Sequence, residues 1–133
     1  MRKDWLYPKS KPFHTGEIKT ADGKYTIPYK EYGNPNGIPI VYLHGGPGAG
    51  TPPYCHRFFD PKAFHVITYD QRGAGKSKPY AGIDDNDPDL LVADLDRLRE
   101  HLGFDQWHVT GGSWGSTLLF RYAETHPDRT LSM

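Results

Sequence analysis

Gly111-Gly112-Ser113-Trp114-Gly115-Ser116-Thr117 decides how this chain is read. Its first five residues match G-x-S-x-G, the pattern of a serine carried on a tight strand-to-helix turn. The flanks fit that turn. Gln106 to Thr110 predicts a strand before it, and Ser116 to Ala123 predicts a helix after it. Gly111 and Gly115 leave room for crossing backbone, and the serine hydroxyl points outward. The helix N-terminus directs main-chain N–H groups and positive dipole at the same spot. A serine so placed suits attack on a carbonyl carbon, followed by stabilisation of a negative oxygen.

Outward from the turn, buried strands alternate with helices. Asp87 and Pro88 read as N-cap and first helical residue, and Leu91, Leu95, Leu98 and Leu102 form one apolar stripe stopped by Gly103. Ile38 to Leu43 is continuously apolar, as expected of a strand covered on both faces, and His65 to Tyr69 is another strand. Pro53 to Phe59 predicts a short helix between them. Glu17 to Thr20 and Lys24 to Tyr29 flank Ala21-Asp22-Gly23, a hairpin in which Pro28 marks an edge strand or a bulge. Pro127 stops the helix after the serine. The fold class is α/β: an N-terminal hairpin, then parallel strands alternating with helices in an open sheet. Loops 44–52, 70–79 and 111–116 all leave strand C-termini, where such sheets bind ligands.

The 133 residues are 36% hydrophobic with no low-complexity tract, a globular composition. Net charge is zero. Basic residues near the start are scattered among Pro, Gly and acids, which argues a solvated surface rather than a nucleic-acid arm. No apolar run approaches a membrane span, and no apolar segment follows the charged N-terminus, so neither membrane nor signal peptide is predicted. A single cysteine, Cys55, rules out an internal disulfide and reads as a partly buried small side chain.

His44-Gly45-Gly46-Pro47-Gly48-Ala49-Gly50 is too glycine-rich for a mere connection. It suits the second donor of an oxyanion hole, and the pair is assigned to the N–H groups of Gly46 and Trp114, with Gly45 as fallback for the first. His44 reads as structural, its ring fixing the loop. Asp70 to Ser77 ends like a phosphate-binding loop but has Asp70 where that pattern needs glycine. Asp70 and Arg72 are expected instead to tie this loop to its neighbours. No metal signature is present, and Asp84, Asp85, Asp87 and Asp89 lack the order of a calcium loop. The one histidine after Ser113, His126, lies about 15 Å away at helical rise and is a poor general base.

With these motifs in place the chain resembles the proline iminopeptidases, serine exopeptidases of the α/β-hydrolase superfamily. The matching pieces are His44 to Gly50, Arg57-Phe58-Phe59-Asp60-Pro61, Asp70-Gln71-Arg72-Gly73, Asp94 with Arg97-Leu98-Arg99, and Gly111 to Leu118. The resemblance implies a peptide substrate with a free N-terminal proline, an acyl-enzyme on Ser113, no cofactor and a cytoplasmic home. It implies that 1–133 is a partial core domain, truncated after the nucleophile helix, with the cap, the C-terminal half and the catalytic Asp and His absent from this chain. The isolated chain is then expected to be inactive. The alternatives are another acyl-transfer activity, such as an esterase or other peptidase, or a non-catalytic interaction module. In the implied fold, strand 106–110 is flanked by 38–43 and by a strand after residue 133, so it becomes an open edge prone to self-association.

Overall fold

A computed structural model of the protein describes residues 6–44, 50–75, 77–78, 88–112 and 114–132, without the Trp114 side chain. Asp87, the expected N-cap, and Asp84 and Asp85 lie outside the described residues. Among the described residues six strands form one sheet: β1 His14–Lys19, β2 Thr26–Gly33, β3 Ile38–Leu43, β4 Phe64–Tyr69, β5 Trp107–Gly111 and β6 Thr130–Ser132. Their spatial order is β1-β2-β4-β3-β5-β6. β1, β2 and β4 pair antiparallel; β4, β3, β5 and β6 pair parallel. The helices are α1 Pro88–Leu102 and α2 Trp114–Thr125.

The leucine stripe does what its spacing predicts. Leu95 and Leu98 are fully buried, and they pack with Leu118 and Tyr122 of α2 against Val41, Leu43, Ile67 and Val109 of the sheet. Each fully buried leucine contributes about 1.5–3 kcal/mol of transfer free energy. Gly103 ends α1 at φ +81°, with the Phe104 N–H bonded to the Arg99 carbonyl. Between the helices, Trp107 donates its indole N–H to the Tyr122 hydroxyl at 3.2 Å, and that hydroxyl donates to Asp96 at 2.9 Å. Trp107 and Tyr122 therefore bury with their polar atoms paired.

The opposite face is thinner than the apolar run of β3 predicts. Ile40 and Val66 are buried there with Tyr32, under Phe59 and Phe64. Ile38 stays 46% exposed, because the segment expected to be a helix over 53–59 makes only a four-residue 3-10 turn, Cys55–Phe58. Pro52 and Pro53 before it and Pro61 after it leave no length for more.

Two further expectations are corrected. β2 is not an edge strand, since it pairs with both β1 and β4. Pro28 is tolerated because β4 is ending beside it. Asp70 N–H donates to the Pro28 carbonyl at 3.2 Å, so the nitrogen that lacks a hydrogen faces the space just past Tyr69. Nor does the sheet stop at β5. Pro127 ends α2 as predicted, but the next residues turn back and lay β6 alongside β5 in parallel. The neighbour of β5 thus lies within this chain, and the edges of the sheet among the described residues are β1 and the three-residue β6.

The hairpin turn carries a pH-sensitive contact. Asp22 accepts from the Thr20 hydroxyl at 2.5 Å, from the Lys24 N–H at 3.0 Å and from Arg72 at 3.0 Å. The Thr20 hydroxyl first, then the Lys24 N–H and Arg72, hold its carboxyl down at about 2 against an ordinary 3.8. A depressed folded pKa contributes stability that is present above the ordinary value and lost as pH falls from there toward 2. Melting temperatures of the protein and its Asp22→Ala variant are therefore expected to differ at pH 5 and to converge by pH 2. A gap that stays constant over this range refutes the assignment.

Candidate active site

The parallel register brings three strand ends to one level. Leu43 of β3 lies opposite Gly111 of β5, and Tyr42 lies opposite Thr68 of β4. The loops that follow these strands leave the same edge of the sheet, as their sequence positions predict.

At this edge β5 ends at Gly111 and α2 begins at Trp114, so strand and helix stand only two positions apart in the sequence. Close approach explains the two glycines of the motif. A Cβ on Gly111 would stand 2.6 Å from the Leu43 carbonyl oxygen. A Cβ on Gly115 would collide with that same oxygen and lie 3.1 Å from the His44 carbonyl. Gly112, between them, faces open space. The end of β3 therefore passes directly beneath the turn, and only glycine admits it at 111 and 115. Ser113 and Gly46, the proposed nucleophile and first oxyanion donor, lie outside the described residues, as does Gly45. Trp114, the other donor residue, opens α2, where main-chain N–H groups have no acceptor within the helix.

The loop after β4 grips its neighbours with three successive side chains. Asp70 accepts from the Thr51 N–H at 2.8 Å. Gln71 meets His44 twice: its main-chain N–H donates to the ring Nε2 at 3.0 Å, and its side-chain amide donates to the His44 carbonyl at 3.3 Å. The His44 ring is fully buried with Nε2 as an acceptor, so its proton sits on Nδ1 and the ring serves the loop structurally, as expected. Arg72 forms a two-pronged pair with Asp94 of α1 at 2.6 and 2.8 Å and lies 4.9 Å over the Tyr25 ring. Burial works against the Arg72 charge, but the bonds and charges of Asp94 and Asp22 outweigh it and hold the guanidinium protonated. Burial pushes the Asp94 carboxyl up, opposed by the Arg72 fork.

Asp94 and Gln71 are the residues that motif reading does not single out by role. Both lie inside recognisable runs, but nothing in a linear sequence names Asp94 as the partner of Arg72, 22 positions earlier.

Other candidates are placed away from chemistry. Cys55 is 1% exposed, and burial pushes its thiol up to about 12, which removes it as a nucleophile. His126 follows the C-terminal end of α2, its ring tilted against Tyr122 at 5.1 Å between centroids and its Nδ1 3.9 Å from Asp96. Twelve helical residues, about 18 Å at helical rise, separate it from the turn. His14 and His65 share the carboxylate of Glu31 at 2.5 and 2.7 Å, and His65 lies at the start of β4, opposite the end that carries Asp70. Among the described residues no group of three His, Cys, Asp or Glu side chains could hold a metal ion. No helix among them is long and apolar enough to cross a membrane.

Residues 38–133 match the family model of the alpha/beta hydrolase fold. The chain is 49% identical over 124 residues to a proline iminopeptidase of Neisseria meningitidis, covering 93% of this chain and 40% of that protein. It is 45% identical over 133 residues to a proline iminopeptidase of Arabidopsis thaliana, covering all of this chain and 35% of that protein. The chain thus spans about two fifths of the length of the curated relatives it matches. In fold it is similar to Cfl2 from Burkholderia cenocepacia, at a TM-score of 0.73 and 21% identity over 90% of this chain and 39% of that one. Sheet order, the glycine-lined turn over Leu43 and the match over residues 38–133 agree, and the chain belongs to the alpha/beta hydrolase fold family.

Proposed function

We propose that this chain supplies the nucleophile and the oxyanion donors of a serine peptidase that releases N-terminal proline from peptides. The observation that carries the reading is the close junction of β5 and α2, pressed onto the end of β3 at Gly111 and Gly115, two glycines that tolerate no Cβ. Resemblance to proline iminopeptidases at 45–49% identity supports the substrate. Ser113 Oγ attacks the carbonyl carbon of the first residue as its proton passes to a histidine. The carbonyl oxygen becomes negative against the N–H groups of Gly46 and Trp114. The C–N bond then breaks, and the histidine returns the proton to the departing amine. Water attacks the resulting ester by the same route and frees the amino acid and Ser113. That histidine and its acidic partner come from outside the described residues. No cofactor enters these steps. A cytoplasmic location belongs to the same reading, supported by a lone, buried cysteine.

A fluorophosphonate that labels activated serines tests this in the complete reading frame that encodes the chain. The label is expected on the peptide containing Ser113, and Ser113→Ala should abolish both labelling and hydrolysis of proline arylamides. The 133-residue chain alone is expected to show no Ser113-dependent turnover, because His44 is committed to Gln71 and His126 sits at the far end of α2. Label on any other residue, or Ser113-dependent turnover by the isolated chain, overturns the assignment.

A further inference from the structure

We propose that Asp70 and Gln71 are positioning residues that clamp the two ends of the glycine-rich loop, His44 and Thr51, and so set where its oxyanion donor stands. The proposal rests on the serine-hydrolase reading and goes beyond it, since it gives a role to two residues outside the nucleophile and the donor pair.

The clamp is built on rigid structure. Tyr69 is the last residue of β4, which pairs with β2 on one side and β3 on the other. At the far end of the glycine-rich loop, the Thr51 hydroxyl donates to the Tyr69 carbonyl at 2.7 Å, and the Thr51 N–H donates to Asp70 Oδ1 at 2.8 Å. At the near end, Gln71 binds both the ring and the carbonyl of His44. Four hydrogen bonds from three successive residues therefore fix both points between which the loop is strung. Gln71 is 3% exposed and His44 is fully buried. A buried amide is costly unless bonded, so packing alone favours an apolar side chain at 71. What the amide adds is a fixed direction for the carbonyl from which the loop departs. Arg72, the next residue, anchors the clamp to α1 through Asp94.

The catalytic consequence follows from distance. An oxyanion donor acts only within about 2.7–3.1 Å of the developing charge, and misplacement by about 1 Å costs on the order of 100-fold. Loosening one end of the loop should lower the rate of the chemical step while leaving ground-state binding nearly intact.

In the complete reading frame that encodes this chain, Gln71→Met keeps the side chain's bulk and removes the donor. Asp70→Ala removes the acceptor for Thr51, and Asp70→Asn retains an oxygen there. Each is measured for kcat and KM on a proline arylamide, for affinity toward a proline boronate that mimics the tetrahedral adduct, and for hydrogen exchange over residues 43–51. The expected result for Gln71→Met and Asp70→Ala is a kcat about 10-fold lower or more, an equal loss of boronate affinity, KM changed less than about 3-fold, and faster exchange over 43–51 but not over α2. Asp70→Asn should recover most of the loss. A lower kcat explained by fewer phosphonate-titratable sites, with boronate affinity and exchange unchanged, overturns the proposal. An unaltered protein that leaves proline arylamides intact would refute the peptidase reading instead. The clamp is then judged on exchange alone, and unchanged exchange in both variants refutes it.

Discussion

Replacing Arg72 by methionine is expected to destabilise the fold by about 3–5 kcal/mol, the usual cost of leaving one member of a buried ion pair alone. The Arg72 and Asp94 side chains are 2% and 4% exposed, so solvent cannot take over the role of the lost partner. Asp22, also bonded to Arg72, is 26% exposed and can turn to water, so its share of the loss is small. The Arg72→Met, Asp94→Leu double variant should recover a large part of the loss, because removing both charges leaves no carboxylate stranded in the core. A typical domain has only about 5–15 kcal/mol in total, so the single variant approaches the limit of folding at 25 °C. Urea unfolding of the three proteins measures both numbers. A single-variant loss below about 1 kcal/mol would mean that the pair is screened like a surface contact and that Arg72 does not anchor its loop to α1.

Gly115→Ala is expected to destabilise by about 2 kcal/mol net, against the sign of helix propensity. Within α2, exchanging glycine for alanine should by itself be worth about 1 kcal/mol in favour of the variant. The added Cβ, however, meets the Leu43 carbonyl oxygen. That oxygen belongs to β3, which is paired on both sides, to β4 and to β5, and cannot retreat without breaking the sheet. The strain must fall on the turn, where overpacking of this kind costs about 1–3 kcal/mol and sometimes more. Gly112→Ala, just past the end of β5 and with no atom within 4 Å of its added Cβ, serves as the control and should change stability by less than about 1 kcal/mol. Thermal unfolding of the pair decides the matter. If Gly115→Ala proves more stable than the parent, β3 does not pass under the turn as described.

Local order in this protein is written locally. Leu91, Leu95, Leu98 and Leu102 specify α1 because side chains three and four apart share one helix face, whatever surrounds them. Gly103 specifies its end because its φ of +81° is open to glycine at no steric cost. The motif at 111–115 identifies the turn by its letters alone, since strand, glycine pair and helix are contiguous. Tertiary structure alone decided why those glycines are needed, because the obstructing Leu43 carbonyl lies far back in the chain and arrives only when β3 and β5 pair. The same holds for the partners of Arg72, Asp22 and Asp94, which come from a hairpin turn and a helix. It holds for the two bonds between Gln71 and His44. β6 is the plainest case: Thr130-Leu131-Ser132 is too short to show a strand's alternation, and becomes one because β5 offers it an unpaired row of main-chain groups. Periodicity and backbone sterics act within a few residues and can be read from the chain. Strand order and long-range polar pairing depend on which segments meet, and that is settled only when the sheet assembles.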